Sequence, residues 1–174
     1  MAKFEFKETV NNFMKMEKAL KFLEENPVYV GIAEDTTERN NEEGDNKVSV
    51  TNADLLFIHT NGSPVNNIPA RPVIEPAIED GKDTISKQMK LAAQNILDTN
   101  EAQAFKYLSI AGTYGQKMCR DWFKNPKNNW PPNSPRVIAK KIKKGSTNPR
   151  PLIDTGELLK SITYFVDHKG IRQK

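Results

Sequence analysis

Pro151-Leu152-Ile153-Asp154-Thr155-Gly156-Glu157-Leu158-Leu159-Lys160-Ser161-Ile162-Thr163-Tyr164-Phe165-Val166-Asp167 changes its period part-way along. Asp154 and Glu157 have the spacing of a helix cap whose third residue reaches back, so a short helix is expected from Asp154. From Ile162 onward, Ile162, Tyr164 and Val166 alternate with Thr163, Phe165 and Asp167, the period of a strand. At the other end of the chain, Val28-Tyr29-Val30-Gly31-Ile32-Ala33 is a second, β-branched strand candidate. Strands at both ends with helical periods between them predict an α+β fold. The expected form is several helices on a small, mostly antiparallel sheet, in a single domain over residues 1–174.

Working outward, residues 5–25 read as an amphipathic helix with Phe6, Val10, Phe13, Leu20 and Leu23 on one stripe, stopped by Pro27. Thr51 or Asn52 can cap a short helix to about Thr60, ended by Asn61-Gly62. The prolines of Ile68-Pro69-Ala70-Arg71-Pro72 forbid a helix there. A long helical period follows, with Ile74, Ile78, Ile85, Met89, Ala92 and Ile96 on one face. A second runs from Glu101 to Lys124 with Phe105, Leu108, Gly112, Gly115, Cys119 and Trp122. Two glycines on a buried stripe imply close approach of a neighbouring element. Residues 125–135 form a Pro- and Asn-rich loop. Pro135 then starts a short basic helix, expected to turn Ile138 and Ile142 inward and Lys140, Lys141, Lys143 and Lys144 outward. The acidic, Asn- and Thr-rich stretch 34–47 reads as a mobile loop or a hairpin tip.

The net charge of +4 is unevenly distributed. Residues 101–174 hold 15 Lys and Arg against 5 Asp and Glu, whereas residues 1–100 hold 11 against 17. Such polarity suits a basic face toward nucleic acid, an acidic face toward a protein, or head-to-tail docking of copies; plain solvation with internal pairing is the alternative. Arg136, Lys140, Lys141, Lys143, Lys144 and Arg150 are uninterrupted by any acid. They are the candidate contact to a DNA backbone or a partner, and without interleaved aromatics any DNA contact should be sequence-blind. A basic DNA-backbone-binding module is the alternative function this run supports.

Little else asks for chemistry. His59 and His168 stand far apart with no ligand spacing, and each reads as a structural hydrogen-bonder. Gly112-Thr113-Tyr114-Gly115 lacks the lysine of a phosphate loop. Cys119, the one cysteine, rules out an intrachain disulfide and sits on an apolar stripe. No catalytic, metal or cofactor residue is nominated, and an enzyme is not expected. No apolar run reaches membrane-spanning length, and Met1–Lys7 lacks the apolar core of a signal peptide. Synthesis in a reducing cytoplasm is the matching expectation, with no membrane partner.

Three segments, taken in order, resemble the phage virion-morphogenesis and tail-completion family, relatives of the head–tail joining components of lambda-like phages. They are Asn52-Ala53-Asp54-Leu55-Leu56-Phe57-Ile58-His59-Thr60-Asn61-Gly62 with Ile68-Pro69-Ala70-Arg71-Pro72, then Trp130-Pro131-Pro132-Asn133-Ser134-Pro135 with Ile138-Ala139-Lys140-Lys141, then Pro151 to Leu158 with Ser161-Ile162. Between His59 and Gly62 the family commonly carries an acidic residue and an aromatic, where this chain has Thr60-Asn61. The resemblance implies a non-catalytic virion protein at the neck or the tail-tube terminus, a ring-forming subunit, expected as a hexamer. Its partners would be copies of itself, a portal-side connector or stopper protein, a tail tube or tail terminator protein, and packaged double-stranded DNA in the channel. It also implies structural roles: Pro69 and Pro72 fix the start of the long helix, Arg71 pairs with an acid across an interface, Trp130 belongs to the second motif, Asp154 caps the last helix, and Gly156 permits close packing.

Overall fold

The computed structural model describes the backbone of residues 2–33 and 50–173 and the side chains of 11–33 and 50–173. The acidic 34–47 stretch and the Phe6 and Val10 side chains lie outside the described residues. Among those described, the elements are α1 (Ala2–Glu25), β1 (Val28–Gly31), α2 (Asn52–Asn61), α3 (Ile74–Leu97), α4 (Glu101–Trp122), α5 (Pro135–Lys143), α6 (Glu157–Ser161), β2 (Thr163–His168) and β3 (Ile171–Gln173). Single 3-10 turns occupy Pro64–Asn66 and Pro126–Asn128. The fold is α+β, with a three-stranded antiparallel sheet in the order β1-β2-β3.

The sequence explains the helix ends. Thr51 and Asp54 form a reciprocal capping box at the start of α2: the Thr51 hydroxyl accepts from Asp54 N–H at 3.1 Å, and the Asp54 carboxylate accepts from Thr51 N–H at 2.9 Å. Hydrogen bonds from the Thr51 hydroxyl and backbone hold the Asp54 carboxyl below the usual carboxylate range. Gly62 ends α2 with φ of 74°, and a Cβ there would meet the Ala70 nitrogen at 2.8 Å, so glycine is required on two counts. Asn100 Oδ1 accepts from Gln103 N–H at the start of α4, and Ser134 caps α5 ahead of Pro135.

Contacts along the chain divide it into two compact units. The first comprises Met1–Val30, Gly81–Gly115 and Tyr164–Lys174. Its core is apolar: Ala19 and Phe22 of α1, Ala92 and Ile96 of α3, Ala104 and Leu108 of α4, and Val166 of β2. Each fully buried large side chain contributes on the order of 2–3 kcal/mol. Gly112 lies under the Tyr164 ring, and a Cβ built on it would overlap that ring, so the close approach read from the glycine stripe is present. His168 Nδ1 donates to Asn26 Oδ1 at 2.5 Å, Asn26 Nδ2 donates to the Phe22 carbonyl at 2.6 Å, and the imidazole stands edge-on to Phe105. His168 is therefore the structural hydrogen-bonder expected of it.

The second unit comprises Gly31–Asp80 and Gln116–Thr163. Val73, Ala77, Cys119, Trp122, Phe123, Leu158 and Ile162 are buried in it. Cys119 is wholly buried, which pushes its thiol up to about 12.

Four expectations need correction. The α1 stripe holds at Leu23, which packs against the core, but Phe13 and Leu20 are exposed, and the buried face runs through Ala19 and Phe22 to Asn26 just past the helix end. The packed face pairs Phe22 and Leu23 with the small Ala19 and with Asn26, so side-chain size alone does not mark it. The last helix starts at Glu157, with Gly156 before it at φ 80°, so Asp154 does not cap it. A Cβ on Gly156 would meet only Lys160 Cε, at 4.0 Å, so that glycine serves the left-handed backbone and not close packing. On α5, Ile142 is exposed and Lys141 is the half-buried one, the reverse of the expected assignment. β3 carried no readable alternation, and all three of its residues are exposed. It is formed by a two-residue turn, Lys169-Gly170, with both residues at positive φ.

Candidate functional site: a clasp around one concavity

The three motif segments, far apart in sequence, meet within the second unit. Two of them are joined at Arg71, which is 6% exposed. Its Nε donates to the Pro131 carbonyl at 3.0 Å, and its Nη2 donates to the carbonyls of Pro131 at 2.9 Å and Pro132 at 3.1 Å. Trp130 returns the connection, donating Nε1–H to the Pro72 carbonyl at 3.1 Å, and its ring stands edge-on to Phe123. Prolines enforce an extended chain whose carbonyls find no ladder partner, and long side-chain donors satisfy them. Burial lowers the Arg71 guanidinium from its ordinary value. Arg71 is thus spent within its own chain, and the expected acid across an interface is not its partner.

The third segment is tied in through α5. Lys141 Nζ donates to the carbonyls of Arg150 at 2.8 Å and Ile153 at 2.5 Å. Burial pulls this ammonium below the ordinary lysine value, opposed by the nearby Asp154 carboxylate and assisted by the Arg71 charge. Arg120, which no local pattern singles out, donates to the Lys160 carbonyl at 2.9 Å and to the Ile162 carbonyl at 2.7 Å. It caps the C-terminal end of α6, where carbonyls are left over and a cation is favoured.

Around this clasp lies a concavity of about 530 Å³. Leu55, Ile68, Pro69 and Leu158 give it an apolar lining, and His59, Arg71, Lys141, Asp154 and Glu157 add polar groups. His59 is not the structural hydrogen-bonder expected: its Nδ1 is buried without a partner, while its backbone carbonyl accepts from Arg71 N–H at 2.5 Å. Burial first, and the Arg71 charge second, hold the imidazole below its ordinary value and so neutral near pH 7. The cations of the concavity are tied to carbonyls, so its chemistry is that of a fixed, mixed-charge surface. Among the described residues, no group of three His, Cys, Asp or Glu is placed to hold a metal ion.

The remaining members of the basic run are elsewhere on α5 and after it. Arg136, Lys140, Lys143 and Lys144 are exposed and follow helical spacings along one side of α5. Arg150 reaches back to the Lys124 carbonyl at 3.4 Å. The six cations therefore split: four form an open basic face and two serve the fold. Pro69, Arg71, Trp130, Asp154 and Gly156 all belong to the clasp or its concavity, and Pro72 joins them through its carbonyl. Among the described residues, no helix is long and apolar enough to cross a membrane. No family model matches the chain, and neither does any curated protein or solved structure.

Proposed function

We propose that this chain is a structural subunit of a tailed-phage virion, at the head–tail junction or the end of the tail tube. In this reading it forms a ring, taken as a hexamer, that joins or completes the tail in the host cytoplasm. The observation that carries the reading is the convergence of the three motif segments on one clasp, through Arg71, Trp130 and Lys141. Residues whose only resemblance was linear are here one construction, spent on rigidity and shape. A ring subunit must hold its contact surfaces fixed while its neighbours assemble, and side-chain-to-carbonyl ties between loops do that. Portal-side and tail-side proteins are the partners implied, with DNA passing through the channel.

The test is genetic and visual. Lysates of a phage lacking the chain should contain filled heads and finished tails that remain unattached, and supplying the chain should join them. Normal, infectious particles without it would overturn the proposal.

A further inference from the structure

No acidic residue lies between Asp121 and Asp154, the stretch that contains α5. Arg136, Lys140, Lys143 and Lys144 fall within roughly 100° of the helix circumference, and all four are exposed. The half-buried Ile138 lies on the other side, with Ile142. Local physics disfavours such an arrangement. Arg136 with Lys140, and Lys140 with Lys144, are like-charged pairs four residues apart, and Lys140 with Lys143 is one three apart, so each pair weakens the helix. Arg136 also stands in the first turn, at the positive end of the helix dipole. The helix end gives the lysines no capping work, because the N–H groups of Lys144, Gly145 and Ser146 already donate to the carbonyls of Lys140, Lys141 and Ile142. Exposed lysines on other elements are paired, Lys117 with Asp121 at 2.9 Å and Lys127 with Asp80 at 2.6 Å. Among the described residues, no hydrogen bond or ion pair engages the side chains of Arg136, Lys140, Lys143 or Lys144.

We propose that this side of α5 binds the phosphate backbone of double-stranded DNA without reading its sequence. A local conflict that nothing inside the described chain relieves points to something outside it, and a row of cations calls for a polyanion. Chemistry narrows the choice. A contact with a protein would be centred on an apolar or aromatic anchor. The basic side of α5 has only Val137, at its margin and 40% exposed. An anionic lipid surface would need apolar residues on that side to insert. Single strands stack their bases on aromatic rings, and residues 131–150 hold none. Base edges are read by bidentate side chains, whereas three of these four are lysines, whose ammoniums act on phosphate as point charges. The charge densities also match: Arg136 to Lys144 covers about 12 Å of helix, a length over which a duplex carries about seven phosphates. Lys141 and Arg150 take no part, because both are tied to carbonyls. The inference deepens the proposed function by naming the surface that meets the channel DNA, and it rests on that reading for the source of the duplex.

The experiment is fluorescence anisotropy of the full chain with two short labelled duplexes of unrelated sequence, over a series of salt concentrations. Wild type should bind both alike, with the logarithm of the binding constant falling against that of salt at a slope no steeper than about −4, since four cations are available. K140Q/K144Q and R136Q/K143Q should each weaken binding by about tenfold or more and make the slope shallower by about two. K90Q/K106Q removes the same charge from exposed sites on α3 and α4 and should change binding little. Relief of like-charge repulsion should leave the urea midpoint of both α5 variants unchanged or higher. A wild type that binds neither duplex overturns the inference. So does a control as damaging as the α5 variants, since net charge alone would then explain binding. Lower stability of the α5 variants would assign these cations to the fold, and vesicles of anionic lipid bound more tightly than duplex would assign them to a membrane surface; either overturns the inference. A chain that joins heads to tails yet binds no duplex overturns it and leaves the proposed function standing. A chain that binds duplex through α5 but is absent from the particle does the reverse.

Discussion

The two units of the chain solve the same problem with different chemistry. The first is held by apolar side chains of three helices and a strand, with Leu108 and Val166 almost wholly enclosed. The second adds cross-chain ties in which Arg71, Trp130, Lys141 and Arg120 donate to loop and helix-end carbonyls. Apolar burial is non-directional and tolerates repacking, whereas a guanidinium on two proline carbonyls fixes both distance and angle. The comparison teaches where precision is invested: in the unit that carries the motif segments, not in the one that carries the sheet.

Removing Arg71 should have the largest effect. Arg71→Met leaves the Pro131 and Pro132 carbonyls unpaired in a buried setting, and should lower stability in urea unfolding by roughly 3 kcal/mol or more. Arg71→Lys should recover little, because one ammonium cannot reproduce a planar fork. Equal stability of the lysine variant and wild type would erase the distinction between the units. In the first unit, Leu108→Ala should cost about 3 kcal/mol by opening a cavity, and Leu108→Met less than about 1.5 kcal/mol because volume is nearly kept. A methionine variant as damaged as the alanine would show that this core, too, depends on exact geometry.

The smallest effect concerns pH. The His59 imidazole is held below its ordinary value of 6.5, so the folded state binds its proton less readily than the unfolded chain does. Its contribution is complete above that value and is lost as pH falls through the folded value. The loss should be small beside the other two, since His59 is only partly buried. His59→Gln should flatten the stability profile below pH 6.5, and an unchanged profile would assign the acid sensitivity elsewhere.

Much of the fold was legible because its signals are local. Thr51 as a cap, Pro135 as a helix start, and the alternation of Ile162, Tyr164 and Val166 each act within a few residues. The glycine stripe of α4 was legible at Gly112 because only close packing excuses glycine there. What stayed hidden depends on distant partners. Nothing in the neighbourhood of Lys141 says that it will bend to the Ile153 carbonyl while Ile142 faces water. Arg120 gave no signal, since its work is done at α6, 40 residues on. Asn26 reads as a helix end, yet it is 2% exposed and anchors His168. The candidate site was therefore visible as a set of motif residues, and its construction as a clasp was not.

The central claim is that this chain is a virion component at the neck or tail-tube end. Electron cryomicroscopy of intact phage particles tests it most directly. The account predicts a ring of density at the head–tail junction or tail-tube terminus into which both units fit. Finding the chain in the capsid shell or baseplate, or absent from the particle, would contradict it.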